Sequence, residues 1–423
     1  MSSYKIAFYI ELKNSIKSLQ QSDLNLGNPG VGGTQYLFLL TVKNLNRMYG
    51  NKYALLLTDG DFGMEDADIP YHIVSDEAGA LRYCTEESIG IITFNANILD
   101  RVSRNVFDTD IRILVWAHNT LTWKRQCIAA KTKCIDRIIC VSKSQCDNMA
   151  DTPCVEKCTY INNVIPEYFY QNSTLTDYSD LKVVYVGSVM PQKGVHNLIE
   201  IWKYVEDVEP KAQLYIFGGA NVWNPDAKLG GNGAVDQYYD RIICKRLNKL
   251  AHPENIHFMG AKGWKDIDRM IATARVGVVN PSHYMRDETF CMSAVEMEAH
   301  GLPIISRQRN DGLNTTIIHG KTGFLEKDDE NIAAKIVELL QNQQLCRHMG
   351  AAARKSSEAF VVQNEIYKWK EIVDDGTIES NVAFIKRKSL DGKLLDHDFI
   401  LKLGFLFESR KMLDLIIKKI RGK

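Results

Sequence analysis

Two glutamates, Glu288 and Glu296, are spaced so that one precedes a predicted helix and the other lies about two turns inside it. The amide groups of Phe290, Cys291 and Met292 fall near the start of that helix, where backbone N–H groups lack an intrahelical partner. Such a helix start at the carboxyl edge of a parallel sheet binds anions, phosphate among them. The carboxylates would then suit hydroxyl groups, one of a sugar and one of a ribose. Spacing alone also fits a helix-dipole role for Glu288 and a solvated Glu296.

Sequence signals set the bounds of this predicted helix. Asp287 or Thr289 can cap its N-terminus, and the helix is expected to run to His300. Gly301 then provides a stop in the left-handed conformation, and Pro303 begins the next strand.

A turn after the predicted strand Lys182–Val186 contains a second set of candidate residues, Gly187, Ser188 and Lys193. Gly187 permits a close approach of ligand to backbone, and Lys193 supplies a cation for a diphosphate. The glycine spacing does not match the dinucleotide-binding fingerprint. Taken alone, Lys193 is equally well explained as an ordinary lysine at a helix start.

The N-terminal half offers two weaker candidates. Gly33 belongs to the glycine-rich turn Pro29–Thr34, which precedes a helix predicted over Tyr36–Leu45 and could bring a ligand close to the helix dipole. His118 follows the predicted strand Ile111–Trp116 and could donate a hydrogen bond into a cleft. A plain connection and a structural histidine are the alternative interpretations.

Strand-like and helix-like runs alternate along the chain, which predicts an α/β protein with parallel sheets and crossover helices. The polar stretch Asn172–Asp180 is expected to be a linker, after which the pattern restarts. We therefore predict a Rossmann-like domain over residues 1–170 and a second over residues 171–360. A further helix is predicted over Val361–Val373, followed by an apolar and basic extension over residues 376–423.

The bulk composition excludes several functions. The 423 residues include 52 basic and 52 acidic side chains, and this zero balance argues against nucleic acid as a partner. No apolar run approaches the roughly 20 residues that span a bilayer, and the N-terminus lacks the pattern of a signal peptide. These features predict a cytoplasmic protein. The extension could contact the inner face of a membrane as a peripheral anchor, or it could pack on the protein.

The sequence predicts no metal site. Six of the ten cysteines lie between Cys127 and Cys158, but their spacing is irregular and lacks the two matched pairs of a zinc site. We expect reduced, buried cysteines. Asp59-Gly60-Asp61 is expected to be a loop turn rather than a metal-binding pair.

Together these features resemble the retaining glycosyltransferases of family 4, which have the GT-B fold. Glu288 and Glu296 match the E-x7-E motif of that family. Gly32-Gly33 and His118 match its N-terminal domain, and the resemblance covers residues 4 to about 373. Five further segments match in the family's order: Gly187 to Lys193-Gly194, Phe217-Gly218-Gly219, Phe258-Met259-Gly260, Gly301-Leu302-Pro303 and His319–Leu325.

The resemblance implies two facing Rossmann-like domains with a nucleotide-sugar donor in the central cleft. Glu288 would bind hydroxyls of the donor sugar, Glu296 the ribose, and His118 the transferred sugar. Lys193 would hold the diphosphate. The helix Val361–Val373 would cross back to the first domain. The remaining donor-binding positions implied are Gly33, Ser188, Gly260, Phe290, Cys291 and Met292.

The chain departs from the family at several positions. Ser188 stands where arginine is frequent, so more of the diphosphate clamp is left to Lys193. Thr289 and Cys291 replace small residues beside the first glutamate. The acidic residue usual just after Gly312 is absent. These departures concern the donor and the rate of reaction more than the class.

The expected function is retaining transfer of a sugar from a nucleoside-diphosphate-sugar, with UDP-sugar favoured, to an acceptor hydroxyl. No cofactor or metal is expected. The acceptor would be a glycan or glycolipid in polysaccharide or lipopolysaccharide assembly, bound by loops such as Asp59–Pro70. Two alternatives stay open: a non-catalytic nucleotide-sugar-binding or scaffolding subunit, and another GT-B enzyme such as a sugar-nucleotide epimerase or a phosphorylase.

Overall fold

A computed structural model describes residues 4–15, 19–20, 22–101, 108–171, 175–219, 228–283, 288–309 and 311–375. The C-terminal extension over residues 376–423, part of the predicted linker and the cap candidate Asp287 lie outside these described residues.

Within the described residues, seven parallel strands form the first sheet, in the order β3-β2-β1-β4-β5-β6-β7. The strands are β1 Ile6–Tyr9, β2 Ala54–Thr58, β3 Tyr71–Ile73, β4 Ile91–Asn95, β5 Arg112–Ala117, β6 Ile135–Cys140 and β7 Cys158–Tyr160. The helices are α1 Gly33–Tyr49, α2 Glu77–Glu86, α3 Ile98–Arg101, α4 Trp123–Lys131, α5 Lys143–Asp147 and α6 Tyr168–Gln171.

The second sheet has six parallel strands in the described part of the chain, in the order β10-β9-β8-β11-β12-β13. The strands are β8 Lys182–Val186, β9 Gln213–Phe217, β10 Ile256–Gly260, β11 Val276–Val279, β12 Ile304–Arg307 and β13 Gly323–Glu326. The helices are α7 Val195–Val208, α8 Gln237–Leu247, α9 Trp264–Ile271, α10 Met292–Ala299, α11 Leu313–Thr316, α12 Asp329–Gln341, α13 Gln343–Ser357, α14 Val362–Glu365 and α15 Tyr367–Asp375.

This topology confirms the predicted GT-B arrangement of two Rossmann-like domains. Strands such as β1 and β11 are buried along their whole length, as expected for parallel sheets covered on both faces. In each sheet the strand order reverses next to the first strand, between β1 and β4 and between β8 and β11. Ligands of open α/β sheets bind at the carboxyl ends of the strands at such a switch point.

The C-terminal helices return to the first domain. Trp369 on α15 lies edge-to-face against Phe8 of β1 at 5.1 Å and against Trp116 of β5 at 4.8 Å between ring centroids. Arg112 donates to the carbonyl of Ile372 at 3.1 Å. The predicted crossing is therefore present, but as two helices that meet at Ile366 rather than one.

The predicted linker is partly packed on the second domain. Thr176 and Tyr178 are buried, and their hydroxyls donate to the carbonyls of Ala274 at 2.6 Å and Gly301 at 2.7 Å. Polar composition alone did not reveal these contacts. The short strands β3 and β7, the strand β13 and the long helix α13 were also missed.

Candidate functional site

A cavity of about 330 Å³ lies between the domains. The first domain contributes Asn28, Gly30, Val31, Gly33 and Tyr36. The second contributes Val186, Gly187, Ser188, Lys193, Phe217, Gly218, Gly219, Ala261, Lys262, Trp264, Ile267, Glu288, Phe290, Cys291, Met292, Ser293 and Glu296. The structure thus brings together most of the residues predicted to bind the donor, from segments far apart in sequence.

The helix start in this cavity differs from the prediction by about three residues. Helix α10 begins at Met292 with Cys291 as its N-cap, and its first intrahelical hydrogen bond runs from Val295 to Cys291. Thr289 is therefore not the cap. The amide groups without an intrahelical partner shift accordingly, so that Phe290 leaves the predicted set and Ser293 joins it. Thr289 is instead held by hydrogen bonds to His118 and Ser142.

The carboxylate of Glu288 accepts two hydrogen bonds on one oxygen. Its Oε2 atom lies 2.7 Å from Nζ of Lys193 and 2.7 Å from Nδ2 of Asn280. Asn280 is buried and follows β11 with φ of +45°, in the left-handed region that asparagine tolerates better than most residues. With both donors on Oε2, the Oε1 atom is available to a ligand hydroxyl in the cavity.

The backbone of Glu288 is fixed as well. Its N–H donates to Oδ2 of Asp311 at 3.0 Å, and its carbonyl accepts from the N–H of Gly312 at 2.6 Å. A Cβ at Gly312 would lie 2.3 Å from the backbone of Thr289, so only glycine permits this approach. Asp311, Gly312 and Asn280 were not predicted as site residues, because each acts by holding Glu288 rather than by belonging to a recognisable motif.

Lys193 remains a cation in this setting. Burial acts to lower the pKa of its ammonium group, but Glu288, with smaller contributions from Cys291 and Asp311, raises this pKa above its usual value. Lys193 belongs to the 3₁₀ turn Pro191–Lys193, which ends at Gly194 in the left-handed conformation. A Cβ at Gly194 would lie 2.3 Å from the backbone of Ser282. This glycine allows the turn to bring Lys193 over the start of α10.

Glu296 lies inside α10 and is 5% exposed. Burial raises the pKa of its carboxyl group to about 8, and a hydrogen bond from Trp264 acts in the opposite direction. With this pKa, the Glu296 carboxyl group is largely protonated at neutral pH. A solvated carboxylate, the simpler interpretation of the spacing, does not describe this residue.

His118 and Gly260 do not form part of the cavity wall. The His118 ring packs against Trp116 at 4.5 Å and Phe38 at 6.0 Å between centroids, and burial lowers its pKa to about 3. It is therefore neutral at pH 7, and its Nε2 atom is buried without a hydrogen-bond partner in the described part of the chain. Gly260 has φ of +70° and immediately precedes the wall residue Ala261.

A second cavity of about 500 Å³ lies in the first domain and adjoins the start of α1. Gly33 lines the first cavity, while the next residues, Thr34 and Gln35, line the second. Its remaining wall is Tyr9, Ile10, Glu11, Lys13, Asn14, Ser15, Asp59, Glu77, Phe94, Asn95, Asn97, Ile98, Arg101 and Asn119. Carboxylates, amides and aromatic rings of this kind suit a polar ligand rich in hydroxyls.

Asp59 and Asp61 accept hydrogen bonds from backbone N–H groups. Asp59 accepts from the N–H groups of Leu12 and Lys13, and Asp61 accepts from that of Gly63 at 2.9 Å. Among the described residues, no group of three or more His, Cys, Asp or Glu side chains could hold a metal ion. All ten cysteines fall in the described ranges and none forms a disulfide. Within those ranges, no helix is both long enough and apolar enough to cross a bilayer.

The comparisons with known proteins agree with this geometry. Residues 169–356 match the family model "Glycosyl transferases group 1". This match covers the second domain. It contains Lys193, Glu288 and Glu296, while Gly33 and His118 lie in the part of the chain that the family model does not match.

Curated relatives are matched over only part of their length. An uncharacterized glycosyltransferase of Methanocaldococcus jannaschii, MJ1178, is 29% identical over 227 residues, which cover 53% of this chain and 55% of that protein. A trehalose synthase of Pyrococcus horikoshii is 24% identical over 205 residues, 45% of this chain and 43% of the synthase. The chain thus spans about half the length of these relatives.

The fold similarity extends over both domains. The structure of Anabaena HepE in complex with UDP superposes with a TM-score of 0.66 at 16% identity, covering 88% of this chain and 99% of HepE. At this identity the similarity supports the fold alone.

Proposed function

We propose that this chain is a retaining glycosyltransferase that transfers a sugar from a UDP-sugar to an acceptor hydroxyl. The observation that carries the proposal is the arrangement in the interdomain cavity, where the Lys193–Glu288 pair lies beside the start of α10 within a group 1 domain. HepE, which shares the fold, was crystallised with UDP, and this favours uridine over other bases.

The diphosphate of the donor would lie against the first turn of α10, opposite Lys193. Negative charge develops on the bridging oxygen as the sugar leaves, and a cation and N–H groups already in place stabilise it without reorganisation. Lys193 would then divide its interactions between the phosphates and Glu288, and Oε1 of Glu288 would accept a hydrogen bond from a sugar hydroxyl. Glu296 and Gly33 would contact the ribose and the phosphates.

Retention follows in this proposal from attack on the face that the phosphate leaves. The departing phosphate would take the proton of the acceptor hydroxyl, so no protein nucleophile is needed. Closure of the two domains would exclude water and limit hydrolysis of the donor. Lys193 and α10 supply the positive charge, and we propose that transfer proceeds without a divalent metal. Activity that survives excess EDTA would support this point.

The acceptor would occupy the second cavity, next to the sugar end of the donor. Its carboxylates and amides are suited to a glycan or the glycan part of a glycolipid, as in polysaccharide or lipopolysaccharide assembly. The basic and apolar extension over residues 376–423 would add a peripheral contact with the inner face of the membrane.

A screen of nucleotide sugars tests the proposal. UDP-glucose, UDP-galactose, UDP-N-acetylglucosamine, GDP-mannose and ADP-glucose are added separately at saturating concentration, and the unfolding midpoint is recorded. A ligand at 100 times its Kd adds about 2.7 kcal/mol to the free energy of unfolding. We expect a UDP-sugar to give the largest rise, and NMR of the product to show the donor's anomeric configuration. An inverted product, or no rise with any compound, would contradict the proposal.

A non-catalytic nucleotide-sugar-binding subunit is the second candidate. It is favoured by Ser188, which lines the cavity where the resembling family frequently has arginine. This candidate predicts binding of the donor without turnover across neutral, amino and lipid-linked sugar acceptors.

A further inference from the structure

Thr289 forms hydrogen bonds from the second domain to the first. Its hydroxyl donates to the carbonyl of His118 at 2.7 Å, and its own carbonyl accepts from the hydroxyl of Ser142 at 2.6 Å. Thr289 is 8% exposed and Ser142 is fully buried, so water competes little for either hydrogen bond. One residue is therefore fixed to the opposite domain by both its side chain and its backbone.

The residue next to this contact is one that is proposed to act on the sugar. Glu288 immediately precedes Thr289 and lines the cavity, and the carbonyl that receives the hydroxyl belongs to His118, at the end of β5. A shift of the Thr289 backbone would move Glu288. The hydroxyl thus links the segment that carries Glu288 to the first domain.

Both ends of this hydrogen bond are rigid. In the first domain, Nε2 of Gln145 donates to the carbonyls of Ala117 at 2.9 Å and Asn119 at 3.3 Å, on either side of His118. In the second domain, Gly312 packs against the Thr289 backbone. A hydrogen bond between two rigid segments sets a distance, whereas the same bond between mobile loops would not.

We propose that the Thr289 hydroxyl is a positioning group that sets Glu288 relative to the first domain through the carbonyl of His118. The inference rests on the proposed function, because the position of Glu288 affects the rate only if Glu288 takes part in sugar transfer. It also gives a physical reason for threonine at a position where the resembling family often has a small residue. A side chain without a hydroxyl could not make the cross-domain bond.

A second bond between the domains provides a matched comparison. The hydroxyls of Ser144 and Thr315 lie 2.7 Å apart and join α5 to α11. This pair also links the two domains, but neither residue adjoins Glu288 or His118. Loss of the Ser144–Thr315 bond would remove a cross-domain hydrogen bond that does not involve Thr289.

The experiment compares Thr289→Val, Thr289→Ala, Thr289→Ser and Thr315→Val in the full-length protein. The nucleotide sugar selected by thermal shift is the donor, and kcat, donor KM and the Kd of UDP alone are measured. Valine keeps the shape of threonine without its hydroxyl, alanine removes the hydroxyl without added bulk, and serine restores it. Displacements on the order of 1 Å in an active site can cost about 100-fold in rate.

We expect kcat to fall by about 10-fold or more in Thr289→Val and Thr289→Ala, while donor KM and the Kd of UDP stay within about twofold. Thr289→Ser should recover most of the rate, and Thr315→Val should stay within about twofold of the unchanged protein. Two results would overturn the inference: retention of kcat in both Thr289→Val and Thr289→Ala, or an equal loss in Thr315→Val. Failure of the unchanged protein to use any nucleotide sugar would instead reject the proposed function.

Discussion

The walls of the two cavities differ in how they are built. In the cavity between the domains, Lys193, Glu288 and Glu296 come from one domain, and the position of Glu288 is set by a hydrogen bond from Asn280 and a hydrogen bond to Asp311. The second cavity is lined by side chains at the ends of several strands and short helices, and among them Glu11 and Arg101 form a partly exposed ion pair. The first wall is suited to one fixed chemical group, and the second can vary with the acceptor.

The largest expected effect is on the donor side. Glu288→Gln keeps the size of the side chain but removes the charge that binds Lys193 and the donor sugar. We expect kcat to fall by about 100- to 1000-fold with little change in the Kd of UDP, since UDP lacks the sugar. Steady-state kinetics and calorimetry measure both quantities. Activity within threefold of the unchanged protein would show that Glu288 does not contact the transferred sugar.

Asn280 tests whether the hydrogen bond behind Glu288 matters. Asn280→Asp keeps a residue that tolerates the left-handed conformation but replaces the donor with a second carboxylate facing Glu288. The like charges should raise the pKa of the pair and lower kcat/KM for the donor by about 30-fold. Asn280→Gly, which keeps the backbone and removes only the amide, should lose less. Equal losses in the two variants would argue against an electrostatic cause.

Arg101 offers the corresponding test of the acceptor side. Its guanidinium pairs with Glu11 at 2.5 Å and lies 3.6 Å from Glu77. Arg101→Ala should raise the acceptor KM by roughly 10-fold and leave the Kd of UDP unchanged, because removing one partner exposes unpaired carboxylates in the wall. Arg47→Ala, in which a comparable pair with Asp68 is lost outside both cavities, is the control. A change in UDP affinity would show that the two walls are not independent.

The remaining prediction concerns Glu296 and the pH dependence of stability. Since its pKa is about 8 in the folded protein against 4.5 for the free side chain, unfolding releases a proton between these values. The folded state is therefore penalised as pH rises through 4.5, and the penalty is complete above 8. Glu296→Gln should raise the free energy of unfolding more at pH 8 than at pH 4.5. The difference should be roughly 2–4 kcal/mol at most.

Glu298→Gln is the control for that measurement. Glu298 lies on the same helix, is fully buried outside the cavity, and burial raises the pKa of its carboxyl group as well. Its substitution should affect stability without changing donor binding, whereas Glu296→Gln should weaken the binding of UDP. Weakened UDP binding in both variants would indicate damage to the helix rather than loss of a ribose contact.

The comparison of the two walls also explains what the sequence could predict. Glu288, Glu296 and Lys193 were selected from their positions relative to a helix start and a strand–turn–helix together with the family resemblance, and the structure places all three in the first cavity. Of the loop Asp59–Pro70, expected to bind the acceptor, Asp59 alone lines the second cavity. The other wall residues come from strand ends far apart in sequence, and only folding brings them together.

The predicted N-terminus of α10 was wrong for a similar reason. A cap at Asp287 or Thr289 was chosen from local preference, but Thr289 uses its hydroxyl for His118 and its carbonyl for Ser142, so the helix begins later, at Met292. A long-range contact had outweighed a local one. The role of Asn280 likewise depends on a tertiary contact, the hydrogen bond that its side chain donates to Glu288.

The most direct test of the central claim is the affinity of UDP for Lys193→Met, measured by calorimetry beside Lys203→Met. Lys203 is an exposed lysine on α7 of the same domain. If the diphosphate binds between Lys193 and the start of α10, Kd should rise by at least about 10-fold in Lys193→Met, as expected for loss of a charge-assisted hydrogen bond, and stay unchanged in Lys203→Met. An unchanged Kd in both variants would contradict the account.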